Sequence, residues 1–337
     1  MNTPNLPPTA LSAALSATFA LLGLASLSGC ATEDEHGDAD LRMGYDLDCP
    51  RWRCGYNSAE VNGKSVRELR LDGQANADGV AIAGFLPPLG GLLGWELGVE
   101  GDSLVARGGL LGTSTLRGAQ LVGSTILFDL GEGLSLPVLI AGYEEVEAWG
   151  AGDPIAAYSL VYLDLDGLGL QRSVCQGTLT DPLLASVVVL AGERYDEDTK
   201  TVVPDQDGWI TLGCAGSASA KLALLGYGPH GDVDGEGTSA TVAQRQATLK
   251  MITADYCGTG EAHTVDGVPL EWENRAGTVV PATLPPAGSL EAIWTEAGAL
   301  CLDEPRLGDD VVLGCELPSC GDLTLDDGEW ATYAVLD

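Results

Sequence analysis

"ITADYCGTGEAHTVDG", Ile252 to Gly267, crowds a carboxylate, a phenol, a cysteine, a histidine and a second carboxylate into one short span. Its reading decides the fold. Taken as a turn, every residue has a structural use. Asp255 accepts backbone N–H groups after a helix. Tyr256 packs its ring and donates its hydroxyl. Gly258 and Gly260 allow the left-handed backbone of a tight loop. His263-Thr264 then lead into a hairpin turning at Asp266-Gly267. Upstream, "SATVAQRQATLKMITADY" puts Val242, Leu249, Ile252 and Tyr256 on one helical face. Downstream, "GVPLEWEN" is strand-like. The stretch is thus a helix-to-strand corner held by a cysteine.

Taken as an active site, Asp255, His263 and Asp266 would form an acid/base cluster, because histidine titrates near neutrality and carboxylates orient it. Thr259, Thr264 or Ser239 would be the nucleophile of an exported hydrolase. No G-x-S-x-G elbow accompanies them, so catalysis is the lesser reading. A zinc site is hard to build from three histidines, His36, His230 and His263. Calcium is the other candidate. "DLDGLG" at Asp164, "DQDG" at Asp205 and "GDVDGEG" at Asp232 offer hard oxygens on glycine turns. The twelfth loop positions hold Cys175, Gly216 and Ala243, which excludes EF-hands. Asp232, Asp234 and Glu236 form the densest of the three candidates, with calcium-dependent adhesion as the corresponding role. Asp-Gly is also an ordinary hairpin turn, the preferred reading. No other cofactor is expected, and no phosphate loop is present.

The chain of 337 residues carries 16 Lys+Arg against 49 Asp+Glu, a formal net charge of -33. Such a surface repels phosphate backbones, so nucleic acid is excluded as a partner. Residues Ala10 to Leu27, "ALSAALSATFALLGLASL", are apolar and uncharged. "LSGC" follows, Leu27 to Cys30, and then the acidic "TEDEHGDAD". An apolar run with a small-residue end is a secretory signal. A single transmembrane anchor is the alternative.

Nine cysteines are present. Setting Cys30 aside leaves Cys49, Cys54, Cys175, Cys214, Cys257, Cys301, Cys315 and Cys320. An even set in an exported chain reads as disulfides. Eight cysteines allow on the order of a hundred pairings, so spacing alone gives no connectivity.

From Val66 onward the pattern is β. "SVRELRLDG", "GVAIAGF", "WELGVEGDSLVARGG", "STLRGAQLVGSTILFDL" and "LSLPVLIAGYEEVEAW" are short runs cut by glycine. With 46 glycines, they fit antiparallel hairpins of a sandwich or barrel-like sheet. "SASAKLALLGYG" reads as a helix capped by Ser217 and stopped at Gly226. "SLEAIWTEAGALCL" and "GDDVVLGCEL" are further strand-like pieces. The fold class is mainly β with a minor helical part (α+β), disulfide-stapled.

The end of the apolar leader resembles the lipobox of bacterial lipoproteins. That resemblance implies cleavage before Cys30 and a thioether-linked diacylglycerol, with palmitate-type acyl chains, on its sulfur. No Lys or Arg precedes Cys30, a departure from the pattern. Ala31 after the cysteine favours the outer membrane, by analogy with sorting in other envelopes. "ITADYCGTGEAHTVDGVPLEWEN" resembles the signature of the ADYC-domain family of bacterial exported proteins. "RSVCQG", "LGCAGSASAKLALLGYGPH" and "LEAIWTEAGALCLDEPR" resemble its other blocks, in order. The resemblance implies pairs Cys175–Cys214 and Cys257–Cys301, with Cys49–Cys54 and Cys315–Cys320 as local staples. The family pattern carries cysteines where Leu222 and Thr248 stand here, which implies one lost bridge. It assigns an exported address and a fold, and no reaction.

The expected organisation is a signal peptide at 1–29, an acidic flexible tether at 30–48, an N-terminal β region at 49–114, an ADYC-like domain at 115–310 and a C-terminal segment at 311–337. The expected role is that of a lipid-anchored envelope protein, a structural or binding module with the membrane as one partner. A protein or glycan partner stays open.

Overall fold

The computed structural model describes residues 58–88, 94–109, 112–131, 133–164, 169–175, 185–265, 267–308 and 311–335. Cys30, the tether, Cys49, Cys54 and Asp266 lie outside the described residues.

The strands follow in chain order. β1 (Glu60–Val61) and β2 (Lys64–Ser65) form a small hairpin. β3 (Glu68–Arg70) and β4 (Ala81–Leu86) precede β5 (Glu96–Glu100), β6 (Ser103–Gly108) and β7 (Ser114–Arg117), which make a three-stranded meander. β8 (Thr125–Asp129), β9 (Ser135–Val146), β10 (Ile155–Leu163), β11 (Gln171–Ser173) and β12 (Ser186–Ala191) come next. β13 (Arg194–Asp196) pairs with β14 (Thr201–Val203), and β15 (Trp209–Cys214) follows. Helices α1 (Ala218–Leu224) and α2 (Val242–Thr253) lead to β16 (Leu270–Asn274), β17 (Ser289–Thr295), β18 (Gly298–Leu302) and β19 (Trp330–Ala334).

The main sheet is a half-barrel in the order β3-β15-β12-β10-β9-β8-β4, with β11 on β10. Its named pairings are antiparallel. β3 and β4 come from the N-terminal β region, so the sheet runs across residue 114. A second sheet, β16-β19-β17-β18, places β19 from the C-terminal segment in its interior.

Both faces of the main sheet are covered. Tyr158, Leu160, Val187 and Val189 enter one core with Phe128, Leu136 and Ile140. Ala157, Val188 and Leu190 enter the other, with Leu222, Leu249, Met251, Trp294 and Trp330. Side chains of a strand alternate between faces, so a sheet covered twice reads as an apolar run. β12, "SVVVLA", is buried throughout. Full burial of each large apolar side chain contributes about 1.5–3 kcal/mol.

Both helices begin at local caps. Ser217 accepts from the Ala220 amide, and Thr241 and Gln244 form a capping box. The α2 periodicity holds for Leu249 and Ile252 but not for Val242, which is exposed. Burial wraps the helix, because Arg245 and Lys250 are buried as well. "GDDVVLGCEL" forms no strand over its described residues, 308 and 311–317. Disulfides tie that segment down instead.

Three disulfides are present among the described residues. Cys175–Cys214 is formed as the resemblance implies. The expected Cys257–Cys301 and Cys315–Cys320 pairs are replaced by Cys257–Cys315 and Cys301–Cys320. The reason is the path of the chain after β18. The Leu302 amide donates to the Pro318 carbonyl, which lays Cys320 against Cys301 and Ile293. Cys315 is left facing the turn after α2. The resemblance implied a local staple where backbone pairing sets a longer link.

Candidate functional site

The signature is built on the end of α2. Ala254 takes the left-handed conformation, φ 51°, that ends the helix, and the Asp255 amide donates back to Lys250 O. Such a conformation costs an alanine about 1–2 kcal/mol. The contacts that follow hold it. The Asp255 carboxylate is fully buried; its Oδ2 accepts from Lys250 Nζ at 2.5 Å and from the Gly260 amide at 2.8 Å. Lys250 Nζ also donates to Thr199 O at 2.8 Å and Gly258 O at 3.3 Å. The two glycines are required by close approach. A Cβ on Gly258 would lie 1.9 Å from Ala297 O, and one on Gly260 would lie 1.9 Å from Asp198 O.

Tyr256 extends the same buried network. Its hydroxyl donates to Glu291, which receives a two-pronged contact from Arg306 at 2.7 and 3.0 Å. Arg306 also donates to Met251 O, and its guanidinium lies over the Trp294 ring. Burial, then the Glu291 charge, pushes the Tyr256 hydroxyl well above its usual range. His263 stacks on Tyr256, ring centroids 5.6 Å apart, with Nε2 4.0 Å from the Glu261 carboxylate. No hydrogen bond or ion pair among the described residues joins Asp255 to His263. The expected acid/base cluster therefore does not assemble from these two. Asp255 is spent on Lys250 and the Gly260 amide, and His263 on the Tyr256 ring stack.

The expected calcium ligands fold onto themselves. Asp232 accepts from the amides of Asp234, Gly235 and Gly237; Asp234 accepts from those of Glu236 and Thr238. Among the described residues, no group of three His, Cys, Asp or Glu side chains is placed to hold a metal. Asp164 pairs with Arg172.

A different histidine meets a different aspartate. The β5–β6 hairpin turns at Gly101-Asp102. Its Asp102 accepts from the Ala191 amide of β12 at 2.9 Å and from the His230 amide at 3.3 Å. His230 Nδ1 lies 3.0 Å from Asp102 Oδ1. An ionised carboxylate only accepts, so Nδ1 carries the hydrogen, and in the neutral ring Nε2 is the acceptor nitrogen. The Asp102 hydrogen bond raises the His230 pKa, against the opposing effect of burial. His230 is half exposed on a cleft of about 550 Å³ that Asp153, Asp232 and Ser239 also line. Behind it, Glu193 is buried with Arg245 and Tyr195. Burial raises the Glu193 carboxyl, while Tyr195 and Arg245 oppose the rise.

Sequence reasoning missed this pair because 128 residues separate its members. The one available signal was an Asp in a Gly-Asp hairpin turn, facing one of only three histidines.

The signature, its place after α2 and the disulfides around it now stand against known families. Residues 118–308 match the ADYC domain. The chain belongs to the ADYC domain family. The match covers more than half of the 337 residues. β3 to β7 lie before it and β19 lies after it, so the ADYC domain shares its sheets with flanking strands. No curated protein and no solved structure matches the chain.

Proposed function

We propose that this ADYC protein is exported, lipid-anchored at Cys30 in the cell envelope, most directly the outer membrane, and works there as a binding module. The carrying observation is the fate of the signature. Asp255 is fully buried and its carboxylate is committed to Lys250 and Gly260. A carboxylate so enclosed braces a corner and offers nothing to a substrate. The lipobox-like "LSGC" and the disulfides support the address, because such bonds persist in oxidising compartments. Fractionation of Cys30→Ala tests the proposal. The variant should leave the membrane fraction and retain its leader. Normal processing and membrane partition of that variant would overturn the anchor.

The hydrolase reading on Asp255, His263 and Asp266 has less support, since Asp255 is spent on Lys250. The calcium-adhesion reading on Asp232, Asp234 and Glu236 has less support as well, since their loop amides already occupy the aspartates.

A further inference from the structure

The geometry points to the Asp102–His230 cleft as a receptor site for an organic ammonium group, bound through His230 Nε2 and the Asp153 carboxylate. The inference rests on the binding-module reading for its role and is independent of the lipid anchor.

Three features carry it. First, Asp102 fixes the histidine. Three donors, the Ala191 amide, the His230 amide and His230 Nδ1, converge on one carboxylate. The ring is thereby oriented and its neutral tautomer chosen. That tautomer presents Nε2 as an acceptor on the cleft wall. Second, the same cleft is lined by Asp153, exposed, with no hydrogen bond or ion pair to another described residue. Asp232 adds negative charge to the lining while its oxygens accept from its own loop. Third, no Lys or Arg lines the cleft among the described residues. An ammonium group brings three donors and one positive charge, which matches an acceptor nitrogen beside a free carboxylate.

Binding is coupled to protons. An ammonium group is compatible with neutral His230 and repelled by the imidazolium. The groups acting on His230 are Asp102 from the β5–β6 turn, Arg245 from α2 and Glu193 from the turn after β12; Asp153 and Asp232 line the same cleft. Asp102 dominates and favours the imidazolium. A bound ammonium must displace that proton, so affinity rises with pH up to the pKa of free His230.

The probe is cadaverine, with a short lysine-containing peptide as a second arm and glutarate as the anionic control. Calorimetry on the full mature chain, in two buffers of different ionisation enthalpy, gives affinity and protons released. The expected result is saturable cadaverine binding with proton release. Affinity should strengthen by about tenfold per pH unit below the pKa of free His230, from about pH 5.5 upward. Tighter binding of the peptide would assign the site to a lysine side chain of a partner; tighter binding of cadaverine would assign it to a free amine. His230→Gln should remove the pH dependence, and Asp153→Asn should weaken binding throughout. An NMR titration of wild-type His230 guards against a misfolded variant: its pKa should fall when cadaverine is present. Absence of saturable binding, equal binding of glutarate, or a His230 pKa unmoved by cadaverine would overturn the proposal.

Discussion

Replacing Lys250 with Met removes the cation that neutralises Asp255 and leaves the volume nearly unchanged. Asp255 is 0% exposed, and its Oδ1 has no hydrogen-bond partner. After the change the carboxylate keeps only the Gly260 amide. Thr199 O and Gly258 O lose the ammonium at the same time. Breaking a buried pair from one side costs about 3–5 kcal/mol, a large share of the roughly 5–15 kcal/mol that stabilises a typical domain. The assay is urea unfolding followed by tryptophan fluorescence, since Trp294 and Trp330 sit in the core beside this corner. Asp255→Leu alone should cost a similar amount, because it strands a buried ammonium. The double variant removes both charges and should be more stable than the sum of the single losses predicts, by about 2 kcal/mol or more. Single losses below about 1 kcal/mol, or strict additivity, would refute the view that the signature is a buried ionic brace.

Gly258→Ala should abolish folding or cost more than about 4 kcal/mol, because its Cβ would lie 1.9 Å from Ala297 O; a folded variant of normal melting temperature contradicts the turn geometry. Non-reduced peptide mapping should recover Cys257 linked to Cys315 and Cys301 linked to Cys320, and a Cys315–Cys320 peptide would contradict the chain path after β18. His230 gains affinity for its proton on folding. Its contribution to stability is therefore full below about pH 6.5 and is lost as pH rises through its higher folded value. Thermal melts of wild type and His230→Gln should differ most at acid pH, and a difference that grows toward alkaline pH would contradict the Asp102 contact.

Strands bounded by glycine turns were legible in the sequence. "GVAIAGF" became β4 and "WELGVEGDSLVARGG" became the β5–β6 hairpin, because glycine and Gly-Asp mark where these runs turn. β10, β12 and β15 are covered on both faces and carry no alternation to mark them. The caps of both helices were local and readable, whereas the α2 burial pattern was not. Arg245 and Lys250 look like solvent-facing residues until Glu193 and Asp255, each remote in space from solvent, are known to meet them. Thr248 shows the same limit. Its hydroxyl accepts from the Trp330 indole at 2.8 Å, a contact across 82 residues. The Asp102–His230 pair belongs to this class: long-range partners decide it, and composition carries no mark of them.

The intact mass of the mature protein purified from native membranes, alkylated in denaturant without reduction, tests the envelope account most directly. The account predicts loss of residues 1–29, an added diacylglycerol on Cys30 and no alkylated thiol. A full-length, unacylated chain that takes up alkylating agent at its cysteines would contradict it.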